Sequence, residues 1–127
     1  MIILDSSFLV ALFHEGDALH EQALEDAKQF ESRKERFIIS DHVLGETATV
    51  LLYNADLARS KAFVEYALDN YDLFLPQRDD LSRILDIFLG QKKEISVVDA
   101  SVIFLARNLH GTLACYDKNL LKQVESK

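Results

Sequence analysis

The chain has 127 residues, 14 of them Lys or Arg and 21 Asp or Glu, and its formal net charge is −7. A domain of this length buries roughly two-thirds of its unfolded surface and needs no disulfide or structural metal to form a core. We therefore predict one domain over residues 1–127. The acidity argues against a protein that holds nucleic acid by basic charge alone, because neutralising phosphates requires Lys and Arg.

The chain carries no feature of export or membrane insertion. Its one cysteine, Cys115, cannot form an internal disulfide, which favours a reducing compartment. The apolar start reaches Asp5 without the basic and long apolar segments of a secretion signal. No run approaches the roughly twenty apolar residues of a membrane span. We expect a cytoplasmic protein with no membrane contact.

Short β-rich runs alternate with longer helical stretches, a pattern typical of a parallel sheet covered by helices. Every strand-to-strand connection is helical, so we predict an α/β fold with a parallel, four- to five-stranded sheet flanked by helices. In chain order the pattern predicts strand 2–4, helices 8–12 and 18–36, strand 37–39, helices 42–53 and 57–71, strand 73–75, helices 79–89 and 96–110, strand 112–116, and a short helix around Leu120.

Two aspartates follow strands at one predicted edge of the sheet. Asp5 comes directly after the first strand and Asp117 directly after the last. Ligands of open parallel sheets bind beyond the carboxyl ends of the strands, where both residues lie. Asp is also a common helix N-cap, so each residue has a purely structural explanation as well.

Glu46 and Asp99 are acidic residues beside apolar positions of predicted helices. Glu46 lies one turn from Val43 and Val50, and a carboxylate on such a face needs a cation, a hydrogen-bond donor or access to water. Ser96 and Asp99 match a capping box, which explains Asp99 locally and also places it in the first turn of a helix near the same sheet edge.

The four acidic residues are expected to converge on one cavity. Carboxylates held together without cations repel one another, and some of them stay protonated. Mg²⁺ and Mn²⁺ prefer oxygen ligands, and protein-bound Mg²⁺ usually retains waters and contacts substrate phosphates. The sequence therefore favours a divalent-metal site for phosphodiester hydrolysis.

Four segments of the chain, 3–7, 40–46, 96–100 and 112–117, resemble the PIN-domain family when taken together and in this order. Within that family the chain is similar to the small VapC toxins of toxin–antitoxin pairs. The resemblance extends over essentially the whole sequence, and it implies a PIN-like fold.

The resemblance also implies a metal-dependent endoribonuclease acting on structured or ribosome-associated RNA. Asp5 and Asp99 would hold Mg²⁺ or Mn²⁺, Glu46 and Asp117 would complete the site, and Ser7 would orient the first aspartate or the attacking water. The partners it implies are the RNA substrate, an antitoxin protein that inhibits the enzyme, and a second copy of the chain in a homodimer.

Two alternatives stay open. A PIN-like module could bind protein or RNA without cutting, although such a module is expected to lose the carboxylates, and all four are present here. A PIN nuclease of RNA processing would lack the antitoxin. Cys115 stands where family members often carry Thr or Ser, and we interpret it as a small buried hydrophobe. Lys118 and Lys122 are candidates for contacts with RNA phosphates, with simple solvation as the alternative.

Overall fold

A computed structural model describes residues 1–125 of the chain. Its strands form one parallel sheet in the order β3-β2-β1-β4. The strands are β1 (Ile2–Leu4), β2 (Phe37–Ser40), β3 (Asp72–Phe74) and β4 (Thr112–Ala114). The helices are α1 (Ser6–Phe13), α2 (His20–Ser32), α3 (Asp41–Asn54), α4 (Leu57–Asn70), α5 (Arg78–Leu89), α6 (Val97–Leu109) and α7 (Lys118–Glu125). The predicted α/β fold with a helix-flanked parallel sheet is confirmed, with four strands among the described residues.

Strand β1 lies in the interior of the sheet, between β2 and β4. Ile3 is paired with Ile38 on one side and with Leu113 on the other. A strand buried on both faces is apolar at every position instead of at alternate ones, and all three β1 residues are at most 1% exposed. Because β1 is central, Asp5 leaves it in the middle of the carboxyl edge.

The helices bury their apolar faces against the sheet and each other. α1 packs against α2 and α3, α3 against α4, and α5 against α6. Each large side chain buried in this core stabilises the fold by about 1.5–3 kcal/mol. The largest fully buried ones on helices are Phe8, Leu9, Leu51, Phe63, Ile84, Ile103 and Leu120. No helix in the part of the chain described here is long and apolar enough to cross a bilayer.

Helix α2 is shorter than the predicted 18–36. It begins at His20 because the Asp17 side chain accepts a hydrogen bond from the backbone N–H of Leu19, which holds a turn there. It ends at Ser32, and Lys34 then takes a left-handed backbone conformation (φ 57°). The spacing of apolar residues alone could not locate these two helix boundaries.

Strands β3 and β4 also differ from their predicted bounds. β3 is shifted one residue earlier, with Asp72 paired to Ile38. β4 stops at Ala114 instead of 116, because the N–H of Tyr116 donates to the Ser7 hydroxyl and leaves the ladder. The helix before β4 ends on a left-handed His110 (φ 52°), while Gly111 is needed because a Cβ there would lie 2.7 Å from the Met1 carbonyl oxygen.

Candidate active site

An open cleft of about 540 Å³ lies at the carboxyl edge of β1 and β4. All four acidic residues selected from the sequence line it, together with Ser7. The complete lining is Asp5, Ser6, Ser7, Val10, Asp17, Leu19, Glu46, Val50, Ser96, Asp99, Tyr116 and Asp117. A separate apolar cavity of about 600 Å³, bordered by Phe8, Phe13 and Tyr71, contains none of the four.

Asp5 is the most enclosed carboxylate of the cleft, at 3% exposed. It is the N-cap of α1, and its Oδ2 accepts hydrogen bonds from the Ser7 N–H (3.2 Å), the Ser7 hydroxyl (2.6 Å) and the Cys115 thiol (3.2 Å). Within residues 1–125 no basic group lies within ion-pair distance of Asp5. Asp5 therefore caps α1 and is also a buried carboxylate whose hydrogen-bond donors, Ser7 and Cys115, are neutral.

Ser7 links Asp5 to the segment that follows β4. Its hydroxyl donates to Asp5 Oδ2 and accepts the 2.9 Å hydrogen bond from the N–H of Tyr116. Because a carboxylate can only accept and the Tyr116 N–H can only donate, the hydroxyl proton of this pair is directed at Asp5. Ser7 is thereby placed to orient Asp5.

Glu46 is half-buried on α3, and Ser6 is its partner. The Ser6 hydroxyl donates to Glu46 Oε2 at 2.6 Å, so the start of α1 fixes a carboxylate on a helix 40 positions further along the chain. Sequence reasoning missed this role of Ser6. The available signal was the tandem Ser6-Ser7 directly after Asp5, which places two hydroxyls at the sheet edge.

Asp99 lies in the first turn of α6, where the predicted capping box with Ser96 is present. Burial raises the pKa of Asp99 above its ordinary value, and the charges of Asp5 and Asp117 raise it further, while hydrogen bonds from Ser96 oppose the change. Three of the predicted carboxylates therefore interact electrostatically.

Asp117 is exposed and caps α7. Its Oδ1 accepts hydrogen bonds from the N–H groups of Asn119 (2.9 Å) and Leu120 (3.2 Å). The helix-cap role that the sequence suggested for Asp117 is therefore present. The cap uses Oδ1 and not Oδ2, and the side chain also lines the cleft.

Cys115 lies beneath the cleft, in contact with two of its carboxylate residues. Its Sγ is 3.2 Å from Asp5 Oδ2 and accepts a hydrogen bond from the Asp117 N–H at 3.2 Å. Burial, assisted by the charge of Asp5, raises the pKa of the thiol to about 12. Cys115 is buried, as interpreted, and it also serves as a neutral hydrogen-bonding group.

The donor chemistry of the cleft suits a hard divalent cation. Within residues 1–125 no three His, Cys, Asp or Glu side chains are grouped closely enough to form a ready-made metal site. Mg²⁺, however, is commonly held by one or two carboxylates and several waters. The oxygen-only donors, the buried charge of Asp5 and its repulsion of Asp99 all fit such an ion.

Asp17 is a further carboxylate of the cleft that sequence reasoning missed. It lies in the turn between α1 and α2, where nothing in the local pattern indicates the sheet edge. No histidine lines the described cleft. His20 instead contacts the carbonyl of Ala11 (2.8 Å), and His42 contacts Asp41 (2.8 Å).

The topology and this cleft define a parallel α/β domain with an acidic site at the carboxyl edge of its sheet. The sequence matches the PIN domain family over residues 2–127. The chain therefore belongs to the PIN-domain family.

Among solved structures, the chain is similar to Mycobacterium tuberculosis VapC20, described as a sarcin–ricin loop cleaving toxin. The two share 26% sequence identity with a TM-score of 0.83, over 97% of this chain and 95% of that one. Comparison with curated proteins gives no match. The predicted resemblance to a VapC-type PIN domain is confirmed.

Proposed function

We propose that the protein is a divalent-metal-dependent endoribonuclease and the toxin of a VapBC-type toxin–antitoxin pair. One observation carries the proposal: Asp5, Glu46, Asp99 and Asp117 line a single cleft in a VapC-type PIN domain. The reaction would be hydrolysis of an RNA phosphodiester.

Asp5 and Asp99 would hold Mg²⁺ or Mn²⁺, with Glu46 and Asp117 completing the site. When bound, the ion would supply Lewis-acid activation of water and stabilisation of the negative charge that develops on the phosphate. Two observations support this division: Asp5 is the most buried carboxylate, and the pKa of Asp99 is raised by burial and further by the charges of Asp5 and Asp117.

The two serines of α1 would keep the carboxylates in position. Ser7 orients Asp5 while accepting a hydrogen bond from the backbone of Tyr116, and Ser6 orients Glu46. Preorganised groups do not have to be reoriented during the reaction, which is a major source of catalytic power.

The substrate would be structured or ribosome-associated RNA. Its support is the similarity to VapC20, which is described as a sarcin–ricin loop cleaving toxin. An antitoxin protein that covers the acidic cleft would restrain the toxin in the cytoplasm. A homodimer is the assembly we propose for the free toxin.

The non-cutting alternative is a PIN-like module that binds protein or RNA. Its expected mark is loss of the carboxylates, and all four are retained here. Such a module would bind RNA equally well with and without a divalent ion, and it would leave the RNA intact.

Cleavage of RNA by the purified protein separates the two functions. Wild type, Asp5→Asn and Asp99→Asn are incubated with ribosomal RNA in Mg²⁺ or Mn²⁺, and again with excess EDTA. We expect discrete products only from wild type with metal. Asp69→Asn, an exposed change on α4, is the matched control and should cleave like wild type. Cleavage that survives EDTA or both substitutions in the cleft would overturn the proposal.

A further inference from the structure

A surface of basic residues adjoins the acidic cleft. Ser96 lines the cleft and also a neighbouring groove along the loop between α5 and α6. Residues of that loop in turn line a third cavity, of about 590 Å³, next to α6 and α7. The cations bordering this continuous surface, which we name the basic track, are Lys92, Lys93, Arg107 and Lys122.

The basic track stands out in a chain with a net charge of −7. Its four cationic side chains are exposed. No carboxylate of residues 1–125 lies within ion-pair distance of Lys92, Lys93 or Lys122. Outside the track, Arg36 is paired with Asp72, and Arg59 is paired with Glu15 and Asp56.

Among residues 1–125, two carboxylates border the basic track, and they are fewer than its cations. Asp86 borders the cavity next to α6 and α7, and Glu94 borders the groove. The three lysines, Lys92, Lys93 and Lys122, outnumber these two carboxylates, so the local field along this surface is positive although the chain as a whole is acidic.

The loop that carries Lys92 and Lys93 is held in shape by its own hydrogen bonds. The Gln91 side chain accepts from the Ile95 N–H at 2.5 Å and donates to the Ile95 carbonyl at 3.2 Å. These two hydrogen bonds join the ends of the loop, so the backbone that carries both lysines is constrained. Less conformational entropy is then lost when they bind a ligand.

We propose that the basic track is the phosphate-binding subsite for RNA, guiding the strand across Ser96 into the acidic cleft. This assignment rests on the proposed function, and it identifies the surface that binds the phosphates of the RNA substrate. Without a bound cation the acidic cleft repels phosphates, and the neighbouring basic track supplies an attraction that does not depend on metal. Contacts of Lys and Arg with phosphates fix the position of the strand and carry no sequence information directly.

The test compares two triple variants that remove equal charge. The track variant is Lys92→Gln, Lys93→Gln and Lys122→Gln. The control variant is Arg33→Gln, Lys34→Gln and Lys61→Gln, exposed positions that line neither the cleft nor the track. Circular dichroism and thermal melting establish that both are folded. Binding of a fluorescein-labelled stem–loop RNA and a labelled oligouridylate is measured by anisotropy in EDTA, over a series of salt concentrations.

We expect the track variant to bind RNA at least about tenfold more weakly than wild type at low salt. The slope of log binding constant against log salt concentration should become shallower by about 2, because three phosphate contacts are lost at roughly 0.7 each. The control variant should keep the wild-type slope. In Mg²⁺, the track variant should show a raised KM with kcat retained.

The outcomes separate this proposal from the proposed function. Because binding is measured in EDTA, a track variant that binds weakly while wild type fails to cleave in Mg²⁺ supports the track and rejects the nuclease. A wild type that cleaves while both variants bind RNA equally well overturns the track and leaves the nuclease standing. Polyglutamate competing as strongly as RNA would overturn the assignment too, and would indicate a surface for an acidic protein segment.

Discussion

The Ser6 hydroxyl donates a 2.6 Å hydrogen bond to Glu46 Oε2, and this contact joins the first residue of α1 to the middle of α3. The next residue along the chain, Ser7, makes the equivalent 2.6 Å bond to Asp5. Two consecutive hydroxyls therefore position two carboxylates that come from different elements.

Replacing Ser6 by Ala should impair catalysis more than folding. Glu46 loses a charge-assisted hydrogen bond, and we expect kcat to fall about tenfold, equivalent to ~1.4 kcal/mol, with KM nearly unchanged. Ser6→Thr keeps the hydroxyl and should restore most of kcat. The measurement is steady-state RNA cleavage, with the melting temperature as a check on folding. Equal activity of Ser6→Ala and wild type would contradict the positioning role.

Asp117 has two roles that two substitutions can separate. Asn is as good an N-cap as Asp, so Asp117→Asn should preserve the stability of α7 while removing the charge from the cleft. Asp117→Ala should lose the charge and also about 1 kcal/mol of the free energy of unfolding. Urea denaturation and cleavage are measured for both. Full activity of Asp117→Asn would show that the residue is a helix cap only.

Cys115 should resist alkylation in the folded protein. It is the one cysteine of the chain and is 8% exposed, so modification by iodoacetamide reports on it alone. We expect mass spectrometry to show slow labelling in buffer and rapid labelling in urea. Fast labelling of the native protein would mean that the thiol beneath Asp5 is open to solvent.

Tyr71 should make the protein less stable at alkaline pH. Burial raises its pKa above the usual value, and the charges of Tyr66 and Glu31 add to that effect. Above about pH 10 the unfolded chain releases the phenolic proton while the folded chain retains it, so the free energy of unfolding falls as pH rises, by up to about 1.4 kcal/mol per pH unit.

Urea denaturation between about pH 9 and pH 11 checks this dependence. Tyr71→Phe should lose less stability over that interval than wild type does. Tyr53→Phe is the control, since Tyr53 is 79% exposed, and it should follow wild type. If the free energy of unfolding fell equally with pH in all three proteins, the alkaline loss of stability could not be assigned to Tyr71.

The element order and four of the cleft's carboxylates, Asp5, Glu46, Asp99 and Asp117, were predictable because they depend on short-range patterns. Alternation of apolar runs with helical spacing places Asp5 and Asp117 after parallel strands, and parallel strands share a carboxyl edge. The capping box of Ser96 and Asp99 follows from their spacing alone and is present.

The contacts that were missed depend on packing between distant segments. Ser6 meets Glu46 only because α1 packs against α3. Asp17 reaches the cleft from a turn, and the Ser7 hydroxyl captures the N–H of Tyr116 and ends β4 early. None of these pairings leaves a periodic signal, since each joins groups that no local spacing relates.

Binding of Mn²⁺, measured by titration calorimetry in the absence of RNA, tests the central claim that the acidic cleft is a metal centre. Wild type and the matched control Asp69→Asn should bind Mn²⁺ with the same affinity. Asp5→Asn and Asp99→Asn should bind at least about tenfold more weakly, because even changes to the outer partners of metal ligands cost about 10- to 100-fold. The same Mn²⁺ affinity in all four proteins, or no binding to wild type, would contradict the claim.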